Sequence, residues 1–140
     1  MGQDKIKVYA YVVADLIHIG HLRHLQRSKK EGDYLIVGVL TDEATMEKKP
    51  KPIIPFNERL EMIRALSCVD KVIKQETYSP LTNVRIIKPD VLMESDSHEE
   101  MSANEYVDSY GGKVVISEYY NKQSSTKIKS KIKEYEDSIS

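Results

Sequence analysis

The sequence predicts a doubly wound α/β fold, a five-stranded parallel sheet with helices on both faces. Three observations carry this. Short runs rich in Val and Ile alternate along the chain with segments whose apolar residues recur every three or four positions. The runs are nearly continuous in their apolar character, as strands buried on both faces are. Each is followed by a helical or loop segment, so successive strands join by crossovers, which are right-handed in nearly all such sheets.

The strands are expected at Lys7–Ala14, Tyr34–Leu40, Lys71–Ile73, Asp90–Glu94 and Lys113–Ser117, each bounded by Gly, Asp or Lys. Ile19, Leu22 and Leu25 share one face of a first helix, with Gly32 placed to cap its carboxyl end. Phe56, Leu60, Ile63 and Leu66 recur at helical spacing after Pro55, a residue suited to a helix start. Ile128, Ile132, Tyr135 and Ile139, spaced four, three and four, form a last helical stripe. Between strand two and the next helix lies EKKPKPIIP, Glu47–Pro55, with three lysines and three prolines in nine residues. That composition reads as an extended cationic arm.

A chain of 140 residues is expected to form a single domain over 1–140, since roughly 100–200 residues is the usual domain size. Its net charge of −1 advertises neither nucleic acid nor an anionic membrane as a partner. Cys68 is the only cysteine, which excludes an intrachain disulfide and a cysteine-based zinc cluster. A reducing, cytoplasmic compartment is the expectation. The first residues, MGQDKIKVYAYVVADL, lack the apolar run and small-residue cleavage site of a leader, and no run approaches the ~20 residues that span a bilayer.

Three of the four histidines fall in YVVADLIHIGHLRHL, Tyr11–Leu25. His18 and His21 flank Gly20 where the first strand gives way to the first helix, at the carboxyl edge of the sheet and the positive end of a helix dipole. Backbone N–H groups there favour anions such as phosphate. Two imidazoles three residues apart on a first turn can both face that anion. A resident metal is not expected, because His21 and His24 have no third ligand at obvious spacing. His24, one turn further in, is expected to be structural or at the rim.

HIGH at His18–His21, preceded by Asp15, resembles the HxGH signature of the nucleotidyltransferase superfamily. GDYLIVGVLTDE (Gly32–Glu43), NERLEMIRALSCVDKVI (Asn57–Ile73) and SSTKIKSKI (Ser124–Ile132) follow it in the order seen in cytidylyltransferases acting on glycerol-3-phosphate, phosphocholine and phosphoethanolamine. The chain departs from that pattern at Val12-Val13-Ala14, where the family reads Gly-Thr-Phe, and at two positions where arginines are common. The loops at Glu94–Glu100 and Tyr119–Gln123 match least well, and they are the expected neighbours of the acceptor.

The resemblance implies a Rossmann-like fold and transfer of a nucleotidyl group, with CTP favoured, to a small phosphoalcohol or hydroxyalkyl phosphonate. Pyrophosphate leaves, and Mg²⁺ accompanies the triphosphate. His18, His21 and Lys48 are the implied catalytic residues. Val13, Ala14, Asp15, Gly20, Arg59, Ser124, Ser125 and Thr126 are the implied nucleotide-binding residues. A homodimer is expected on the same ground, with neither nucleic acid nor membrane as partner. Two alternatives stand beside this reading: an adenylyltransferase of the same superfamily, similar to FAD synthetase, and a catalytically silent nucleotide-binding module.

Overall fold

The computed structural model of the chain describes residues 5–95, 100–118 and 124–139. Five parallel strands form one sheet: β1 (Lys7–Val12), β2 (Tyr34–Leu40), β3 (Lys71–Gln75), β4 (Val91–Ser95) and β5 (Lys113–Ser117), in the spatial order β3-β2-β1-β4-β5. Six helices accompany them: α1 (Ile19–Lys29), α2 (Asp42–Met46), α3 (Phe56–Arg64), α4 (Leu81–Ile87), α5 (Met101–Ser109) and α6 (Ser125–Ile139). The chain winds outward from β1 to β3, then crosses back to place β4 on the other side of β1. This is the doubly wound, Rossmann-like architecture that the strand pattern predicts.

Strand side chains alternate between two cores. Val8, Ala10 and Val12 of β1 join Leu35, Val37 and Val39 of β2 beneath Leu25 of α1 and Ile63 of α3. Tyr9 and Tyr11 turn the other way, with Ile36 and Leu40, toward Ala44 of α2, Val84 of α4 and Val107 of α5. The two central strands β1 and β2 are therefore apolar on both sides, which is why each reads as a continuous run. Gly38 faces the second core, where a Cβ would collide with the Tyr9 hydroxyl. That hydroxyl donates to Gln75 Oε1 at 2.5 Å and accepts from Asn83 Nδ2 at 2.9 Å.

Several local expectations change. The first strand stops at Val12 rather than Ala14, because Ala14 turns into the left-handed region at φ 61°. α1 is capped at Lys30 with φ −67°, so Gly32 is not a left-handed cap. Gly32 serves close approach instead, since a Cβ there would lie 2.7 Å from the Ile6 carbonyl oxygen. Pro55 stands at the N-cap of α3, one position before the first turn, and Leu66 lies just past its end. The α6 stripe is helical, yet no residue of α6 is buried. Among the described residues no helix is long and apolar enough to cross a membrane.

The β1–β4 ladder runs only from Val8 and Val91 to Tyr9 and Leu92. Beyond it the carboxyl ends of the two strands are not paired with each other. This is the switch point in strand order, where open α/β sheets bind ligands.

Candidate active site

A cavity of about 1120 Å³ opens at this switch point. Its floor is the carboxyl ends of β1, β4 and β5, and its walls come from α1, the loop after α2 and the first turns of α6.

The α1 wall is built by its histidines. His18 is the N-cap, extended at φ −146°, and its Nδ1 accepts the Gly20 backbone N–H at 3.0 Å. In return, His21 Nδ1 accepts the His18 backbone N–H at 3.1 Å. This is a reciprocal capping box in which imidazoles replace the usual Ser and Glu. Its chemical consequence is definite. A ring nitrogen that accepts an N–H bond carries no proton, so each neutral ring keeps its proton on Nε2. Both rings line the cavity with centroids 4.1 Å apart, and Nε2–H is the group each has left to offer a ligand. Burial lowers the His18 pKa, and burial followed by repulsion from His18 and His24 takes His21 down to about 3. The pair is neutral at pH 7 and donates without carrying charge.

His24 belongs to the same wall, where its ring is tied to the end of β5, with Nδ1 2.8 Å from Ser117 Oγ. Burial lowers its pKa to about 4. The signal was present as a third histidine at helical spacing, but the β5 partner could not be read from the sequence.

Asp15 organises the opposite wall. Its carboxylate accepts from the Ile53 and Ile54 backbone amides at 3.0 and 2.9 Å, and pairs with Lys129 Nζ at 3.1 Å. Its carbonyl oxygen accepts from the Ser125 hydroxyl. One residue thus ties the β1–α1 loop to both the proline-lysine arm and α6. Burial works against the charge, but these bonds outweigh it and hold the carboxyl below its ordinary pKa. Ser124 caps α6 through Oγ, which accepts from Lys127 N at 3.1 Å.

Val13, Asp15, His18, Gly20, His21, Ser124, Ser125 and Thr126 all line the cavity, as expected of site residues. Three expected residues do not. Lys48 is absent from the wall, and Lys49 takes its place, one residue further along the loop. Burial and then repulsion from Lys129 lower the Lys49 pKa. Ala14 is buried in the core beneath the site.

Arg59 is the larger correction. It is 1% exposed and spends its guanidinium on the protein, donating to the Ile54, Val13 and Leu40 carbonyl oxygens and pairing with Asp42 at 2.6 Å. It braces the loops that carry the site and is not available to phosphate. Sequence reasoning also missed Lys129 and Lys133, which line the cavity from α6, and Arg23 from α1. Lys129 falls four residues after Ser125 and therefore on the same helix face, a signal that the lysine-rich helix obscured.

Tyr119, Tyr120 and the rest of the 119–123 loop lie outside the described residues, as do 96–99 including His98. No group of three His, Cys, Asp or Glu placed to hold a metal ion occurs among the described residues.

The cytidylyltransferase-like family model matches residues 11–132. The bifunctional protein HldE of Alcanivorax borkumensis is 35% identical over 124 residues, 86% of this chain and 26% of that protein. The HldE of Syntrophotalea carbinolica is 31% identical over 130 residues, 90% of this chain and again 26% of the relative. The chain thus spans about a quarter of the length of these curated relatives. A crystal structure of a lipopolysaccharide core biosynthesis protein from Thermoplasma volcanium is 30% identical with a TM-score of 0.71, covering 83% of this chain and 97% of that one. With the family model spanning residues 11–132, most of the chain, the chain belongs to the cytidylyltransferase-like family.

Proposed function

We propose that the chain transfers a cytidylyl group from CTP to a small phosphate- or phosphonate-bearing alcohol, releasing pyrophosphate. An oxygen of the acceptor's phosphate attacks the α-phosphorus. The bond to the bridging oxygen of pyrophosphate breaks as the new anhydride bond forms. The attacking group is already an anion, so no general base is needed. What the site supplies is alignment and neutralisation of charge on the transferring and leaving phosphoryl groups.

The observation that carries this reading is the reciprocal histidine box. It fixes two uncharged Nε2–H donors on a helix N-terminus at the cavity's edge. His18 and His21 donate to oxygens around the α-phosphorus. Lys49 and Lys129 repel each other across the cavity, with Asp15 paired to one of them, and so favour an anion between them. The leaving pyrophosphate is assigned there, beside the Ser125 and Thr126 end of α6. Mg²⁺ is expected to travel with the triphosphate, held by its oxygens and water. The homodimer expected from the family stands as part of this proposal.

Pyrophosphate release is to be measured with CTP and with ATP, across a panel of phosphoalcohols and hydroxyalkyl phosphonates. CTP turnover that is lost in His21→Ala supports the assignment. Turnover with ATP alone would replace the cytidylyl group by an adenylyl group on the same residues. Nucleotide binding without turnover on any acceptor would favour a silent binding module.

A further inference from the structure

The last ten described residues of the chain, Ser130–Ile139, are all exposed although they continue one regular helix. Ile132 is 49% exposed, and Tyr135 and Ile139 are each 66% exposed. Helices shorter than ~12–15 residues are marginal alone in water, so a bare amphipathic segment of this kind calls for a partner. Ile53 of the arm, 59% exposed, joins Ile132 in a shallow groove alongside it.

The pattern of the stripe says which partner. A spacing of four, three and four is a heptad pattern, with Ile128 and Tyr135 at d and Ile132 and Ile139 at a. It is also symmetric about its own centre, between residues 133 and 134. A two-fold axis there sets Ile132 against Tyr135 of a second copy, and Ile128 against its Ile139. Charge follows the same symmetry. Lysines 127, 129, 131 and 133 occupy the first half of α6, whereas Glu134, Glu136 and Asp137 occupy the second. An antiparallel pair lays the basic half of one helix along the acidic half of the other. A parallel pair sets like against like.

We infer that the outer face of α6 is a dimerisation surface, on which a second copy of this chain docks its own α6 in antiparallel register. This extends the homodimer reading by naming its surface, and it does not depend on which nucleotide the cavity takes. The first turns of the same helix form the Ser125–Lys129 wall of the cavity. Pairing of its outer half would therefore steady that wall.

Sedimentation velocity of the intact chain without nucleotide, from about 5 to about 500 µM, is expected to show a reversible monomer–dimer equilibrium, because a single helix pair falls short of the ~1,200 Å² of stable complexes. Ile132→Asp and, separately, Tyr135→Ser should weaken association at least about tenfold. Both side chains are exposed, so circular dichroism and thermal midpoint should show the domain still folded. Glu136→Lys should weaken it about threefold by replacing attraction with repulsion. Zero-length carbodiimide coupling of mixed light and heavy isotopic chains should yield inter-chain links between the lysines in the first half of α6 and the carboxylates in its second half. A monomer at every concentration would overturn the inference. So would a dimer indifferent to Ile132→Asp, or inter-chain links that never join the two halves of α6. None of these results depends on turnover, so a failure of the catalytic proposal would remain separate.

Discussion

Two helix N-termini face the same cavity, and they are built in different ways. That of α1 is closed by its own side chains, His18 and His21 capping each other's backbone. The helix behind it packs through Leu25 into the core. That of α6 has its own cap in Ser124 but is also tied from outside, by Asp15 reaching Lys129 and accepting from Ser125, and the helix behind it is bare. The first end is preorganised, with donors fixed before any ligand arrives. The second rests on the Ser124 cap, an ion pair exposed only on its Lys129 side, and one hydroxyl. In the proposed reaction the first end is the one assigned to the reacting phosphorus and the second to the departing pyrophosphate.

The largest effect should come from removing the brace beneath the rigid end. Arg59→Ala would leave Asp42 without its partner and three carbonyl oxygens without their donor, an expected loss of about 3–5 kcal/mol. Chemical denaturation would measure it, and a change under about 1 kcal/mol would mean the loops are held some other way. Next comes His21→Ala, expected to lower kcat by about 10²–10³ with the fold intact, as removal of a fixed donor does. An equal loss on Ser125→Ala would erase the proposed contrast between the two ends.

The neutral state of the box can be tested by pH. The folded His21 pKa of about 3 lies below its unfolded value of about 6.5, so protons bind preferentially to the unfolded chain between them. The stability this contributes is present above about pH 6.5 and is lost as pH falls toward 3. His24, at about 4, acts in the same direction. Lowering the pH from 7 to 5 should cost about 2 kcal/mol for His21 alone, read as a fall in thermal midpoint that His21→Gln reduces. A midpoint unchanged across that range would indicate that the rings are already charged or not buried.

Smaller effects are expected at the second end. Lys49→Ala should raise the KM for the nucleotide about tenfold, while Lys48→Ala should change it less than about twofold, since only Lys49 lines the cavity. The reverse order would restore Lys48 to the site. Ser125→Ala removes one tether and is expected to raise KM about threefold with little change in kcat.

The rigid end was the legible one because its chemistry is local. His18, Gly20 and His21 are neighbours on one helical turn, and short-range geometry dictates that their groups meet. The second end was legible only in part. Ser124–Thr126 read correctly as a helix start lining the site. Nothing in the spacing says that Asp15, more than a hundred residues away, holds Lys129 and Ser125. Arg59 failed for the same reason: a Glu-Arg pair on an amphipathic helix looks solvent-facing until three acceptors on other segments, Val13, Leu40 and Asp42, are found around it. The arm was read as cationic and near the site, but which of its lysines turns inward depends on the short helix α2, which no periodicity announced.

By itself, then, the order of residues determined the alternation of strands and helices, the doubly wound topology, the meeting of His18 and His21 on one helical turn, and the family. These rest on periodicity and on contacts within a single turn, which the covalent chain imposes directly. The tertiary structure alone decided that His24 meets Ser117, that Lys49 rather than Lys48 faces the cavity, that Arg59 is a buried brace, and that the last apolar stripe is exposed. Those are contacts between segments far apart in the chain, and only the packing of the sheet brings them within bonding distance or leaves them in water.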